Sequence, residues 1–267
     1  MSKKLLMLFS TLFMKKFFQI PIIMVVLMTL TFTAFADFQL DYIEAEGIIY
    51  PEKGTSLNQM RRMAIMDAYR YLAEEVNNLY VTSESTVKNM RELDDKVNTK
   101  VEATLHGAKI ISINRERDGS VHAKVRLPLS GGSQSIAAAV LNENIIIEDF
   151  PKPKFTNIYS ETHYTGLIID CKGLNISQAV APSIKSVDGL EVYAYKNLGY
   201  QTVVDKGMVE YSSSTNSTRA GSSPLIVKAI KISNNCDVVI SNEDANKILA
   251  ANDLAKFLNN CLVVLMR

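Results

Sequence analysis

Residues 56–78 read SLNQMRRMAIMDAYRYLAEEVNN, and this stretch decides the fold of the part of the chain around it. Met60, Ala64, Ala68, Leu72 and Val76 recur at every fourth position, the spacing that gathers side chains on one face of a helix. Two of the five are alanines, small enough to let the helix lie close against a sheet. Ser56 with Gln59 three residues later forms a capping box, so the pattern predicts a helix that opens there and runs to about Asn78.

The sheet this helix needs is legible on both sides of it. Upstream, Ile43, Ala45, Gly47 and Ile49 alternate with Tyr42, Glu44, Glu46 and Ile48, the period of a strand with one polar face. A turn at Pro51 and Gly54 connects the two. Downstream, a short strand is expected near Leu79 to Ser83, then a second helix from about Thr86 to His106. Val87, Met90, Leu93, Val97, Val101 and Leu105 share one face of that helix, and Gly107 stands where it should stop. Lys109 to Glu116 and Ser120 to Leu129 then read as a hairpin around Asp118-Gly119, with Val121, Ala123, Val125, Leu127 and Leu129 on its apolar row. Residues 134–142 look like a short closing helix.

Periodicity fails between Asn144 and His163, where Pro151, Lys152, Pro153 and Lys154 mark an extended linker. The expected division is therefore a domain at 37–143, a linker at 144–163 and a second domain at 164–267. In the second, Tyr164 to Cys171 reads as a strand, and Ser183 to Val187 with Leu190 to Tyr193 as a hairpin around Asp188-Gly189. A helix from about Tyr200 to Tyr211 follows. Ser212 to Ser223 reads as a loop with no means of building a core. Strands are expected at Leu225 to Ile232, Asp237 to Ile240 and Leu262 to Met266. Between the last two, Ser241 caps a helix to about Asn259, interrupted near Asn252-Asp253. Strands and helices mix without strict alternation, so the fold class read from the pattern is α+β in both parts.

Composition sets the address and removes one class of partner. Lys15-Lys16, an apolar run from Ile20 to Leu30 and Ala34-Phe35-Ala36 before Asp37 have the order of a secretion signal, cleaved after residue 36, with translation starting at Met1 or at Met14. Phe17 to Ala36 is also about the roughly 20 residues of a membrane-spanning helix, so a retained anchor is the competing reading. Four of the 29 basic residues and none of the 28 acidic ones precede residue 37, which leaves 25 against 28 and a slightly acidic remainder. No basic excess points to nucleic acid as a partner. Three cysteines, Cys171, Cys236 and Cys261, cannot all pair within one chain; Cys236 and Cys261 flank a helix and form one bridge, or all three are small core residues.

Arg61, Arg62, Asp67 and Arg70 cluster on the first helix, and the three-residue spacing of Asp67 and Arg70 fits a surface ion pair or an interaction face. His106, His122 and His163 lie far apart, without the spacing of a zinc-binding helix, and no metal or cofactor is expected. Gly131-Gly132-Ser133-Gln134-Ser135 lacks the last glycine of a nucleophile elbow, and Pro51 to Ser56 lacks the spacing of a phosphate-binding loop. Asp170, at a strand end, is either a site carboxylate or a turn cap. No catalytic residue is assigned.

Met63 to Glu74, after the extended Glu44-Ala45-Glu46-Gly47 strand, resembles the Lpp-twenty-type family of exported, mostly lipid-anchored bacterial envelope proteins. A more distant likeness runs to the N-terminal domain of flagellar assembly protein T. The resemblance spans about Ile43 to Leu129, and Tyr164 to Asp170 with Ala181-Pro182-Ser183 resembles a companion region of some of these proteins. The chain departs from the family in having no cysteine at the expected cleavage site. The resemblance implies a periplasmic or envelope location and a motility or envelope accessory, and no reaction. Two expectations follow. One is a non-enzymatic protein that binds other envelope proteins or itself, with peripheral or no membrane contact once the signal is removed. The alternative is a periplasmic small-ligand binder or hydrolase with a cleft between the domains, near Asp170 and the 212–223 loop.

Overall fold

The structure is a computed structural model that describes residues 41–154 and 163–267; the segment read as a secretion signal lies outside the described residues. Strand β1 (Tyr42–Ile49) alternates as its sequence requires, with Ile43, Ala45 and Gly47 inward. Helix α1 (Leu57–Asn78) opens on the capping box of Ser56 and Gln59 and buries Met60, Ala64, Ala68, Leu72 and Val76, the five residues of the expected stripe. Gly47 shows why that face carries alanine. A Cβ at Gly47 would lie 2.2 Å from the carbonyl oxygen of Ala64 and 2.4 Å from the nitrogen of Ala68, so helix and strand touch backbone to backbone.

Strands β2 (Tyr80–Thr82) and β3 (Ser85–Thr86) form a small ribbon. The second helix departs from expectation: it is two helices, α2 (Val87–Leu93) and α3 (Asp95–His106). Asp94, at φ −141°, ends the first, and its carboxylate accepts the Lys96 N–H at 2.8 Å to start the second. An aspartate that satisfies a new helix N-terminus competes with continuing the old one. Leu93 falls at the break and is 86% exposed, not on the buried face. Strands β4 (Lys109–Arg115) and β5 (Val121–Pro128) form the hairpin, and Gly119 takes φ +88° in its turn. The sheet order is β1-β5-β4, all antiparallel. Helix α4 (Ile136–Val140) is fully buried.

The second half builds two sheets. β6 (Leu167–Asp170), β9 (Glu210–Ser212), β10 (Leu225–Lys228) and β13 (Val263–Met266) form a parallel sheet in the order β10-β6-β13-β9. Its central strands read Leu-Ile-Ile and Val-Val-Leu-Met because both faces are covered. β7 (Ile184–Ser186), β8 (Glu191–Tyr193), β11 (Lys231–Ser233) and β12 (Asp237–Ile240) form the other, in the order β11-β12-β7-β8. Helix α5 (Tyr200–Lys206) stops at Gly207, φ +73°, so the expected helix to Tyr211 is shorter and Tyr211 lies in β9. The expected strand from Leu225 to Ile232 breaks at Ala229-Ile230, and its two pieces join different sheets. Helix α6 (Asn242–Ala255) ends on Lys256 in the left-handed region, while the Asn252 side chain accepts the Leu258 N–H at 2.8 Å. The fold class is α+β, as its pattern indicated.

The two halves share one hydrophobic core. Val180 and Ala181 donate their N–H groups to the carbonyls of Tyr80 and Val81 at 2.9 and 2.8 Å, and Gly131 donates to Val204 at 2.7 Å. The described part of the expected linker, residues 144–154, touches the second half. Glu148 N–H bonds the Lys196 carbonyl at 2.8 Å, and the Phe150 ring stacks on Tyr193 with centroids 6.4 Å apart.

Candidate functional site

Each residue singled out in the sequence has a defined place. Asp67 pairs with Arg70 at 2.8 Å, and Arg70 reaches Glu74 at 3.2 Å and lies over the Tyr71 ring. These are exposed helix-surface pairs, which hold little energy and position nothing for a reaction. Arg61 and Arg62 are exposed on the same helix. Asp170 ends β6, where its Oδ1 accepts the Lys172 N–H at 3.0 Å, the arrangement of a turn cap. The expected cleft beside it is filled by the loop after β9. Ala220 of that loop is buried with Ile168, Val264 and Met266 on one face of the parallel sheet. Two hollows lie elsewhere. One, of about 400 Å³, is lined by Lys152, Lys154, Asp188, Asn242 and Leu249; another, of about 430 Å³, by Lys100, Glu143, Gln134 and Tyr200.

That loop was expected to have no part in a core, yet it carries a buried arginine. The Arg219 guanidinium donates to the carbonyls of Gly207 and Cys261 at 3.3 Å each and to that of Lys206, which closes the C-terminal end of α5. Glu210, held by the Ser217 hydroxyl at 2.8 Å, lies 3.8 Å from Arg219 Nε. Asp41 joins this cluster from the first half: its Oδ2 accepts the Tyr211 N–H at 3.2 Å. Burial pushes the Asp41 carboxyl up to about 6, against the pull of that hydrogen bond and of Arg219. The cluster ties the halves together and has no open position for a substrate among the described residues.

One row imitates a hydrolase. Ser120 Oγ lies 3.1 Å from His122 Nε2, and His122 Nδ1 lies 3.0 Å from Glu46 Oε1. A serine nucleophile must give its proton to the histidine and must reach substrate. Ser120 does neither: its hydroxyl donates to Asp118 Oδ1 at 2.6 Å, and the residue is wholly buried. A hydroxyl has one proton, and that of Ser120 is given to Asp118, so none is left for His122 to accept. The row braces the hairpin turn. Among the described residues no group of three or more His, Cys, Asp or Glu side chains is placed to hold a metal. All three cysteines are free and buried, and no bridge joins Cys236 to Cys261. Burial pushes the Cys171 and Cys236 thiols up to about 12.

What the surface does present is an uncovered strand edge. β4 ends its sheet, and among the described residues no strand pairs with its outer side. Ile110 and Ile113 sit opposite Val125 and Ala123, which places them on the face that α1 covers elsewhere. Yet Ile110, Ile111 and Ile113 are 45, 44 and 38% exposed. The Tyr69 hydroxyl donates to the Ala108 carbonyl at 2.9 Å, which sets one flank of α1 toward the β4 side. Arg61 and Arg62 share that flank at helical spacing. With Lys109, Arg115 and Arg117 they make five cations around this edge, none with a carboxylate at ion-pair distance among the described residues. Sequence reading missed this site because strand order is not written in a hairpin.

Residues 46–128, which hold α1, the hairpin and this edge, match the family model of the LPP20 lipoprotein. Over these residues the chain is similar to the LPP20 lipoprotein family. Residues 166–267 match the model for the second domain of Tp0624 of Treponema pallidum. No curated protein matches the chain. The LPP20 match points to the cell envelope as its place. Among the described residues no helix is long and apolar enough to cross a membrane.

Proposed function

We propose that this is an exported, non-enzymatic protein of the bacterial envelope that works by binding other proteins or copies of itself. The observation that carries the reading is the bare β4 edge of the LPP20 domain, where three exposed isoleucines lie among five unpaired cations. Long apolar strand edges invite pairing with another chain, and soluble proteins usually cover or blunt them. The buried Ser120 and the filled space beside Asp170 weigh against the hydrolase alternative. The signal-like N-terminus supports the periplasm, and a motility or other envelope assembly is the first to test.

The test is crosslinking in living cells with a tagged full chain, followed by mass spectrometry of the envelope fraction. Recovery of defined envelope proteins, or of the chain crosslinked to itself, is the expected result. Hydrolysis of a substrate by the purified chain, lost on a single substitution in one of the two hollows described above, would overturn the reading.

A further inference from the structure

The two edges of the LPP20 sheet are complementary. At the β4 edge the isoleucine row is bare and the charge is basic: beside Lys109, Arg115 and Arg117 stand Glu116 and Asp118, and Asp118 is turned to Ser120 in the hairpin turn. At the β1 edge the order is reversed. Helix α1 covers the inward row of β1, with Ile43 and Ala45 buried. The flank of α1 opposite Tyr69 carries, at helical spacing, Met63, Asp67, Tyr71, Glu74 and Glu75. Met63 and Tyr71 are 46 and 40% exposed. Of the three acidic residues, Asp67 and Glu74 share the single cation Arg70, so this flank is net acidic. Glu44 and Glu46 of β1 are already paired with Arg126 and His122 and add nothing to it. The helix layer is thus displaced toward β1, which leaves an apolar shelf on one side and an apolar gap on the other.

We infer that copies of this chain associate head to tail, the β4 edge of one against the β1 edge and overhanging α1 flank of the next. The inference rests on the assembly reading above. In that arrangement Met63 and Tyr71 of one copy cover Ile110 and Ile113 of its neighbour, and the acidic flank faces the basic edge. A symmetric pairing of β4 with β4 is disfavoured, because centring the two antiparallel strands on Ser112 sets Lys109 opposite Arg115, and like charges facing each other across strands repel. A head-to-tail contact leaves one free edge at each end, so it continues until it closes into a ring or runs on as a filament.

Sedimentation velocity of the purified full chain over a range of concentrations and at two salt concentrations tests this. A concentration-dependent series of oligomers, weakened by salt, is expected. The variant Lys109→Glu with Arg115→Glu and the variant Glu74→Lys with Glu75→Lys should each weaken association at least about 10-fold, about 1.4 kcal/mol per contact. Mixed in equal amounts, the two variants should associate again, since each then offers the charge the other lacks. That recovery also shows that both are folded. A chain that stays monomeric at all concentrations overturns the inference. So does a dimer broken by the first variant alone, which is the symmetric pairing. A photo-crosslinker at Leu254, on α6, separates this from the function proposed above. Specific envelope adducts there from a monomeric chain keep the binding reading and sink the head-to-tail contact; no adducts from a monomeric chain sink both.

Discussion

Replacing Asp41 by asparagine should stabilise the protein at neutral pH. The carboxyl accepts the Tyr211 N–H and faces Arg219, Arg267 and Glu210, yet desolvation dominates and raises it from 3.8 to about 6. A raised carboxyl binds its proton more tightly in the folded state, so folding is favoured while the group is protonated and loses that advantage as pH rises through 6. A shift of about 2 units at about 1.4 kcal/mol per unit puts the cost of the ionised form near 3 kcal/mol above pH 7, an upper figure. Asparagine keeps an oxygen for Tyr211 and removes the charge. Thermal unfolding at pH 7.5 should then show a midpoint raised by several degrees, at about 2–4 °C per kcal/mol for a unit of this size. Near pH 4 the two proteins should unfold at nearly the same temperature. A lower midpoint for the variant at pH 7.5 would refute the reasoning, because it would show that the Asp41 charge is a net favourable counter-ion to the buried guanidinium.

The closest backbone approach gives a sharper structural test: Gly47→Ala should cost roughly 2–4 kcal/mol in urea unfolding or prevent folding, since its Cβ meets Ala64 and Ala68 backbone atoms at 2.2 and 2.4 Å. Gly107→Ala, where the nearest atom is 3.3 Å away and φ is −83°, should cost less than about 1 kcal/mol. Because burial raises the Cys171, Cys236 and Cys261 thiols, none should react with a disulfide reagent at pH 8 in the native protein. All three should react in denaturant without reductant; titration of a single thiol there would mean that Cys236 and Cys261 are bridged. Ser120→Ala should lower stability by about 1 kcal/mol and leave any background ester hydrolysis unchanged, whereas loss of hydrolysis would revive Ser120 as a nucleophile.

Much of the first half was legible because each signal there is local and agrees with its neighbours. The capping box at Ser56, the alanine stripe and the Gly119 turn all point to one arrangement, and the Gly47 contact explains the stripe. The break at Asp94 was hidden by apolar spacing that runs through it from Met90 to Val97, although the capping aspartate itself was in view. In the second half the decisive facts are non-local. Nothing in Ser212 to Ser223 reports that Gly166, whose Cβ would lie 2.6 Å from the Ala220 carbonyl oxygen, leaves the slot that the loop fills. Nor does Arg219 report that the carbonyls at the end of α5 await it. The break at Ala229-Ile230 separates two sheets without changing the apolar pattern. Of the candidate site, Arg61 and Arg62 could be named from the sequence, whereas the bareness of Ile110 and Ile113 depends on where α1 sits across three strands.

The way the halves meet decides which surfaces of the LPP20 domain remain for a partner. β2 is bound along Val180 and Ala181, the turn after β5 is fixed to α5 through Gly131 and Val204, α4 is buried, and the approach to β1 is held by Asp41 on β9. The second half therefore occupies one end of the domain and seals it. On the open sheet face Glu44 pairs with Arg126, Glu46 with His122, and Arg126 lies over the Tyr42 ring, so its carboxylates are already matched. What is left with both exposed apolar surface and unmatched charge is the pair of lateral edges, β4 with its cations and the acidic flank of α1 above β1. On the function proposed above, a partner of this part of the chain meets those edges first, and a substitution that changes their charge should act on binding without touching the core that joins the two halves.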